Sequence, residues 1–378
     1  METYEKLKQS PVFQMSLHSK ELFHSNFLAW LGEDPKLREV FRNVMVAIGL
    51  SREYVDSWGE DFEILREKNH FDLIVKAPVH KNKKGKERPK RGELYLVIEN
   101  KIKSVPTGDQ LNDYSKKLES YVKNPGFTKI LLSMGKYDGI LPDDWKQATY
   151  EEVIEGLKKP VSGTISPYKS ELIKDYTSML ETLVKIMGGV TVSTDDTFLP
   201  DKKADELREE LDKLRIADLY DKWRASKIAA LVSKELGVTC YSGYTNKTPF
   251  IEVHEILRVG KEDKDTWTGT IQIQGAQYRR CIWGPFESKE LAKSYPGFLY
   301  PTKDEFKDKL MEEYPNVFEG TRMRRDYCCY GENDERPFWY QYVVIGPETK
   351  ISTIIECIRQ DLESLMSFQK DDSHKTSL

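Results

Sequence analysis

Cysteine is scarce in this 378-residue chain. Its five thiols, Cys240, Cys281, Cys328, Cys329 and Cys357, are odd in number, and the closest pair is adjacent. Without a C-x-x-C spacing, neither a zinc site nor a disulfide framework is indicated, and reduced, mostly buried thiols are expected. Long apolar runs are missing as well: none approaches the roughly 20 residues of a membrane helix, so no membrane partner is expected. The opening METYEKLKQSPVF lacks the apolar core of a signal peptide, and a cytoplasmic location is the expectation. Nor is there an excess of positive charge, the formal net charge being −4. That argues against a nonspecific nucleic-acid coat protein but leaves room for a local basic patch. One such patch exists. Between residues 80 and 92 stand Lys81, Lys83, Lys84, Lys86, Arg88, Lys90 and Arg91, against the single acid Glu87.

Hydrophobic periodicity organises the rest. Phe23, Phe27, Trp30 and Leu31 give a helix over about 17–31, and a second helix runs from Leu37 to Ile48, stopping at Gly49. Residues 62–66 and 71–75 read as extended, and the basic stretch 80–92 as a loop. Leu94-Tyr-Leu-Val-Ile98 is a continuous apolar run, as a strand buried on both faces requires. A helix over 109–122, a strand over 129–133 and helices over 150–157 and 171–186 complete an α/β core around a mixed sheet. Polar, turn-rich residues 188–202 read as a linker between a domain of residues 1–187 and a second, α+β domain of residues 203–368. That domain opens with helix over 203–236, broken once. Strands follow over 250–259, 267–274, 278–283 and 338–345, then a helix over 352–368 and a disordered tail, 369–378.

Two carboxylates stand where strands would bury them. Asp72 sits in Phe-Asp-Leu-Ile-Val, and Glu99 ends the Leu94–Ile98 run. A buried carboxylate is costly unless paired or bound to a cation. Lys101 follows Glu99 by two, so strand alternation puts both on one side. Two acids and an ammonium at one sheet edge suit phosphodiester hydrolysis with Mg²⁺, a hard cation that takes oxygen ligands. A lone Glu-x-Lys carries little information in so charged a chain, and an Asp in a strand can be a hydrogen-bonded edge residue. Further groups cluster around these three. Glu21 and His24 share a face of the first helix, and Gln110 and Tyr114 stand four apart on a later one. Glu67 is either a further acid or half of a surface ion pair, the latter favoured.

In order and spacing, Glu21-Leu-Phe-His-Ser-Asn-Phe-Leu-Ala-Trp30, Phe71-Asp-Leu-Ile74, Ile98-Glu-Asn-Lys-Ile-Lys103 and Gln110-Leu-x-x-Tyr114 resemble the PD-(D/E)XK nuclease superfamily. The closest likeness is to a bacterial branch with a helical LFHSxFLAW opening, and the QLxxY piece is similar to that of RecB-type nucleases. Phe71 stands where the family's proline would be. The resemblance spans roughly residues 15 to 185. It implies a restriction-endonuclease-like fold, a mixed sheet flanked by helices. It also implies Asp72 and Glu99 as metal ligands, with Glu21 and the main-chain carbonyl of Asn100 joining them, and Lys101 assisting the attacking water. Gln110, Tyr114 and His24 are auxiliary, His24 more a packing or substrate-orienting residue than a ligand. The expected cofactor is Mg²⁺, with Mn²⁺ able to substitute, and the expected partner is duplex DNA, bound in part by the 81–91 basic stretch. That stretch reads equally as a solvated hairpin tip. The expected activity is that of a deoxyribonuclease, an endonuclease acting in defence against foreign DNA. A homodimer is left open.

The competing reading is a catalytically inactive nucleic-acid-binding or assembly module that keeps the nuclease fold. Such modules usually lose an acid or the lysine, and this chain keeps all three. Beyond residue 200 no family signature is found. Trp267, Tyr278, Trp283, Trp339 and Tyr340 there read as β-domain core rather than as base-stacking groups. Arg322, Arg324 and Arg325 with Tyr327 are equally ambiguous.

Overall fold

The computed structural model describes residues 2–19, 21–68, 71–78, 93–102, 108–121, 126–136, 141–200, 202–245, 248–258, 267–283, 308–309, 312–314, 317–319, 328–330 and 338–373. Its contacts divide the chain into two units. One holds Met1–Val190 with Glu209–Trp223, and the other holds Thr191–Arg208 with Arg224–Leu378.

The first unit is built on a five-stranded mixed sheet in the order β1 (Glu63–Lys68), β2 (Phe71–Pro78), β3 (Glu93–Lys101), β4 (Gly126–Ser133) and β5 (Trp145–Thr149). The first three strands are antiparallel, and β3, β4 and β5 run parallel. A parallel step needs a crossover, which α6 (Gly108–Tyr121) supplies between β3 and β4. Before the sheet come α1 (Glu2–Gln9), α2 (Pro11–Ser19), α3 (Glu21–Glu33), α4 (Arg38–Ala47) and α5 (Arg52–Asp56), and after it α7 (Tyr150–Lys158) and α8 (Pro167–Gly188). The helix expected over 17–31 takes in the end of α2 and most of α3, and Lys20 lies outside the described residues. The short α5 and β5 have no clear periodic signature in the sequence. Thr149 starts α7 with a reciprocal capping box to Glu152. Gly156 lets α7 press against α4, for a Cβ there would lie 2.5 Å from Val44 Cα.

The strands sort their side chains by alternation. Leu73, Val75, Leu96 and Ile98 face one way and are buried. Asp72, Ile74, Val97 and Glu99 face the other way, where Tyr114 and Leu118 of α6 pack on Phe71, Ile74 and Val97.

The second unit is α+β. It takes in α9 (Lys202–Lys213) up to Arg208 and α10 (Ala217–Leu236) from Arg224, while the end of α9, the turn at Leu214–Ile216 and the start of α10 group with the first unit. The sheet follows with β6 (Cys240–Thr245), β7 (Thr248–Arg258), β8 (Trp267–Gln274), β9 (Gln277–Trp283), β10 (Phe318–Glu319), β11 (Cys328–Tyr330) and β12 (Phe338–Ile345), before the closing helix α11 (Ile351–Ser373). Its seven strands are antiparallel in the order β10-β12-β9-β8-β7-β6, with β11 beside β12. Gly275, at φ 58°, makes the tight turn from β8 to β9. One face packs Ile251, Val253, Ile271, Ile273, Ile282 and Val343 against α10 and α11. Within this core Asp361 of α11 accepts from Arg280, Tyr278 and Tyr314, so a buried ion pair is fully hydrogen bonded.

Two sequence expectations meet a different arrangement here. The stretch read as a linker is tied by main-chain bonds into the second unit: Phe198 N–H donates to Thr349, and Ile351 N–H to Asp196. Polar turn residues describe a hydrogen-bonded loop as well as a tether, which is why composition alone did not separate them. Helix α11 continues five residues into the stretch read as tail, and residues 374–378 lie outside the described residues. Among the described residues no helix is long and apolar enough to cross a membrane. Cys240, Cys281 and Cys357 are buried and unbridged, and burial pushes all three thiols far above the usual range.

Candidate active site

Strands β2 and β3 pair up to Leu73 and Ile98, and the same register carried one step further sets Asp72 opposite Glu99. There the side chain takes over from the ladder. Asp72 Oδ2 accepts the main-chain N–H of Asn100 at 2.7 Å. A carboxylate in place of a carbonyl turns the end of a strand pair into an acidic site without leaving the buried N–H unsatisfied.

Glu99 is 2% exposed. Its Oε1 lies 2.8 Å from Lys101 Nζ, itself nearly enclosed. Burial works to strip the proton from Lys101, but the Glu99 carboxylate opposes it, assisted by Tyr114 and Asp72, and the ammonium is held above the ordinary lysine range. Lys101 therefore stays charged at neutral pH. Asp72, Glu99 and Lys101 together carry a formal −1 in a setting largely shut off from water. That donor set, hard oxygens with a residual negative charge, fits a divalent cation of the magnesium type.

The other expected residues fall in different places. Tyr114 is close enough to act on Lys101, and its ring meets Phe71 edge-on at 5.4 Å. Glu21 begins α3 and Gln110 lies in the first turn of α6, but both side chains lie outside the described residues. So does the whole basic stretch, with Lys81, Lys83, Lys84, Lys86, Arg88, Lys90 and Arg91. Among the described residues no three His, Cys, Asp or Glu side chains come together as a metal cluster. Glu67 is exposed, at φ 49°, and the β1–β2 register sets it opposite Asp72. His24 is fully buried behind the sheet, with Nδ1 3.0 Å from Tyr176 Oη and its ring against Tyr150.

Sequence reasoning missed the layer on that far face. Asn100 turns its side chain away from Glu99 and Lys101. It accepts from Tyr150 Oη at 2.8 Å and donates to Ser25 Oγ at 3.1 Å. The available signal was the polar run His-Ser-Asn inside an otherwise apolar helix, and an amide at the end of an apolar strand. In the second unit Tyr278 lies in the core and Tyr340 is buried on the opposite face, while Trp267, Trp339 and the 322–327 cluster lie outside the residues whose side chains are described.

The PD-(D/E)XK nuclease superfamily profile matches residues 12–178. No curated protein and no solved structure gives a match. The matched stretch contains the five-stranded mixed sheet and helices α3 to α7, and Asp72, Glu99 and Lys101 all lie within it. Over residues 12–178 the chain is similar to the PD-(D/E)XK nuclease superfamily.

Proposed function

We propose that the first unit is an active, metal-dependent deoxyribonuclease. The observation that carries this is the Glu99–Lys101 pair standing beside Asp72 at the joined ends of β2 and β3. Asp72 and Glu99 would hold Mg²⁺, or Mn²⁺ in its place, with Glu21 and the Asn100 carbonyl completing the set. Such an ion would supply Lewis-acid polarisation of the phosphodiester and of water. Lys101 would hold the attacking water and offset charge developing on the phosphate oxygens. Tyr114 and Gln110 would border the phosphate, and the 81–91 basic stretch would grip the backbone of duplex DNA. The second unit would select the substrate, with aromatics and arginines as its contact residues. A cytoplasmic enzyme acting against foreign DNA is the role most in keeping with the family, by analogy alone.

Incubation of the purified chain with plasmid, linear DNA and RNA tests this reading in Mg²⁺, Mn²⁺ or chelator. Cleavage of DNA that needs the metal and is absent in Asp72→Ala is the expected result. Nucleic acid bound but never cut, under every metal, would favour the inactive binding module.

A further inference from the structure

Asn100 lies between the two catalytic candidates of β3 and does three things at once. Its main-chain N–H holds Asp72, its Nδ2 donates to Ser25 of α3, and its Oδ1 accepts from Tyr150 of α7. Asn100, Ser25 and Tyr150 are each 1% exposed or less. The network runs on, because Tyr150 also bonds Tyr176, and Tyr176 meets His24. Burial pushes the Tyr176 phenol far up, Tyr150 countering only in part, so the group stays neutral and its hydroxyl keeps its proton.

Packing does not call for such a cluster. An apolar side chain would fill the same volume, whereas a buried amide that loses its partners is left unsatisfied and destabilises the fold. Register does call for it. β3 is apolar on both faces through Leu96, Val97 and Ile98. A strand of that kind carries little information about which residue stands opposite which, and a one-residue slip would send Glu99 and Lys101 to the wrong face. Only an amide aligned with Ser25 and Tyr150 is satisfied, so the partners on α3 and α7 mark the correct position.

We propose that Asn100 is a positioning residue, and that Ser25 and Tyr150 act through it. Clamped from the far face, it fixes the end of β3, so that its N–H orients the Asp72 carboxylate while Glu99 and Lys101 stand beside it. The same bond locates α3, the helix that begins at Glu21, against β3. The consequence for metal binding rests on the nuclease reading above, but the clamp itself does not.

The test uses full-length Ser25→Ala, Tyr150→Phe and Asn100→Ala, with Ser25→Thr as the variant that keeps a hydroxyl. Backbone hydrogen exchange of metal-free protein is followed at residues 99–102 and, for comparison, in β5. Mn²⁺ affinity is measured by calorimetry, and kcat and KM for cleavage are measured separately. Exchange at 99–102 should quicken about tenfold while β5 stays protected. Mn²⁺ affinity should fall about 10- to 100-fold, as it does when groups that orient metal ligands are removed. The loss in cleavage should appear in kcat with KM unchanged, and Ser25→Thr should restore all three. Should Asn100→Ala not fold, the two partner variants decide. Variants that melt earlier but keep wild-type exchange at 99–102 and wild-type Mn²⁺ affinity would reduce the network to packing and overturn the proposal. Wild-type protein that binds no Mn²⁺ would instead sink the nuclease reading, and the exchange measurement alone would then decide the clamp.

Discussion

Lys101 Nζ stands 2.8 Å from Glu99 Oε1, on one face of β3 and almost out of water. Each charge makes the other tolerable, since neither could be buried alone. Lys101→Ala should therefore act in two ways. Cleavage should fall by at least ~10²-fold, the usual order for losing a positioned charged donor. The metal-free protein should also lose stability, because Glu99 is left buried without its cation. Mn²⁺ should then raise the melting temperature of Lys101→Ala by more than it raises that of wild type. An equal rise in the two proteins would show that Glu99 is not the group the metal meets.

The sign of the Lys101 shift fixes a pH window. Its folded pKa lies above the ordinary lysine value, so the stabilisation is complete below the unfolded pKa of about 10.4 and fades as pH rises through the folded one. Wild type and Lys101→Met should thus differ in stability by a constant amount from pH 7 to 9. A difference that shrinks across that range, in denaturant titrations, would contradict the assignment.

Asp72 has two tasks that substitution can separate. Asp72→Asn keeps an acceptor for the Asn100 N–H but removes the charge, while Asp72→Ala removes both. Asn should leave the melting temperature near wild type and abolish Mn²⁺ binding. Ala should lower stability by about 1–3 kcal/mol as well, the cost of an unsatisfied buried N–H. Calorimetric binding of Mn²⁺ by Asp72→Asn at wild-type strength would remove Asp72 from the ligand set.

What could be read from sequence here was local. The Leu94–Ile98 run, the Phe71–Val75 strand and the helix bearing Tyr114 each announce themselves within about ten residues, through period or continuity. Asp72, Glu99 and Lys101 were legible because charges inside strands are physically costly. The clamp on Asn100 was not, because its partners stand 75 and 50 residues away in sequence and no spacing rule links them. Strand β6, with Gly243 amid Tyr and Ser, has no alternation to find. The grouping of Glu209–Trp223 with the first unit is likewise a matter of which apolar face meets which, and an amphipathic helix does not say.

The basic stretch yields a measurement of its own. Seven positive groups within eleven residues follow β2 and precede β3 in the chain. Neutralising four of them should reduce the slope of log affinity against log salt by up to ~0.9 per lost phosphate contact on duplex DNA. Filter binding across salt concentrations reads this directly. An unchanged slope would mark the stretch as a solvated hairpin tip.

Truncation tests how the units divide the work. The first unit draws on Glu209–Trp223, where Leu219, Tyr220 and Trp223 are each at most 5% exposed. Trp223 lies so near Gly135, just past the end of β4, that a Cβ there would meet its ring at 2.8 Å. Cutting the chain at 190 strips these side chains away, at about 1.5–3 kcal/mol for each large apolar group. Several such losses rival the whole stability of a domain. A fragment of residues 1–223 should accordingly be soluble and melt cooperatively, while 1–190 should be markedly less stable or aggregate. If the second unit selects the substrate, 1–223 should cleave but show weaker preference among plasmid, linear DNA and RNA than the full chain. Equal melting of the two fragments would refute the structural half of this argument. Full selectivity retained by 1–223 would refute the functional half.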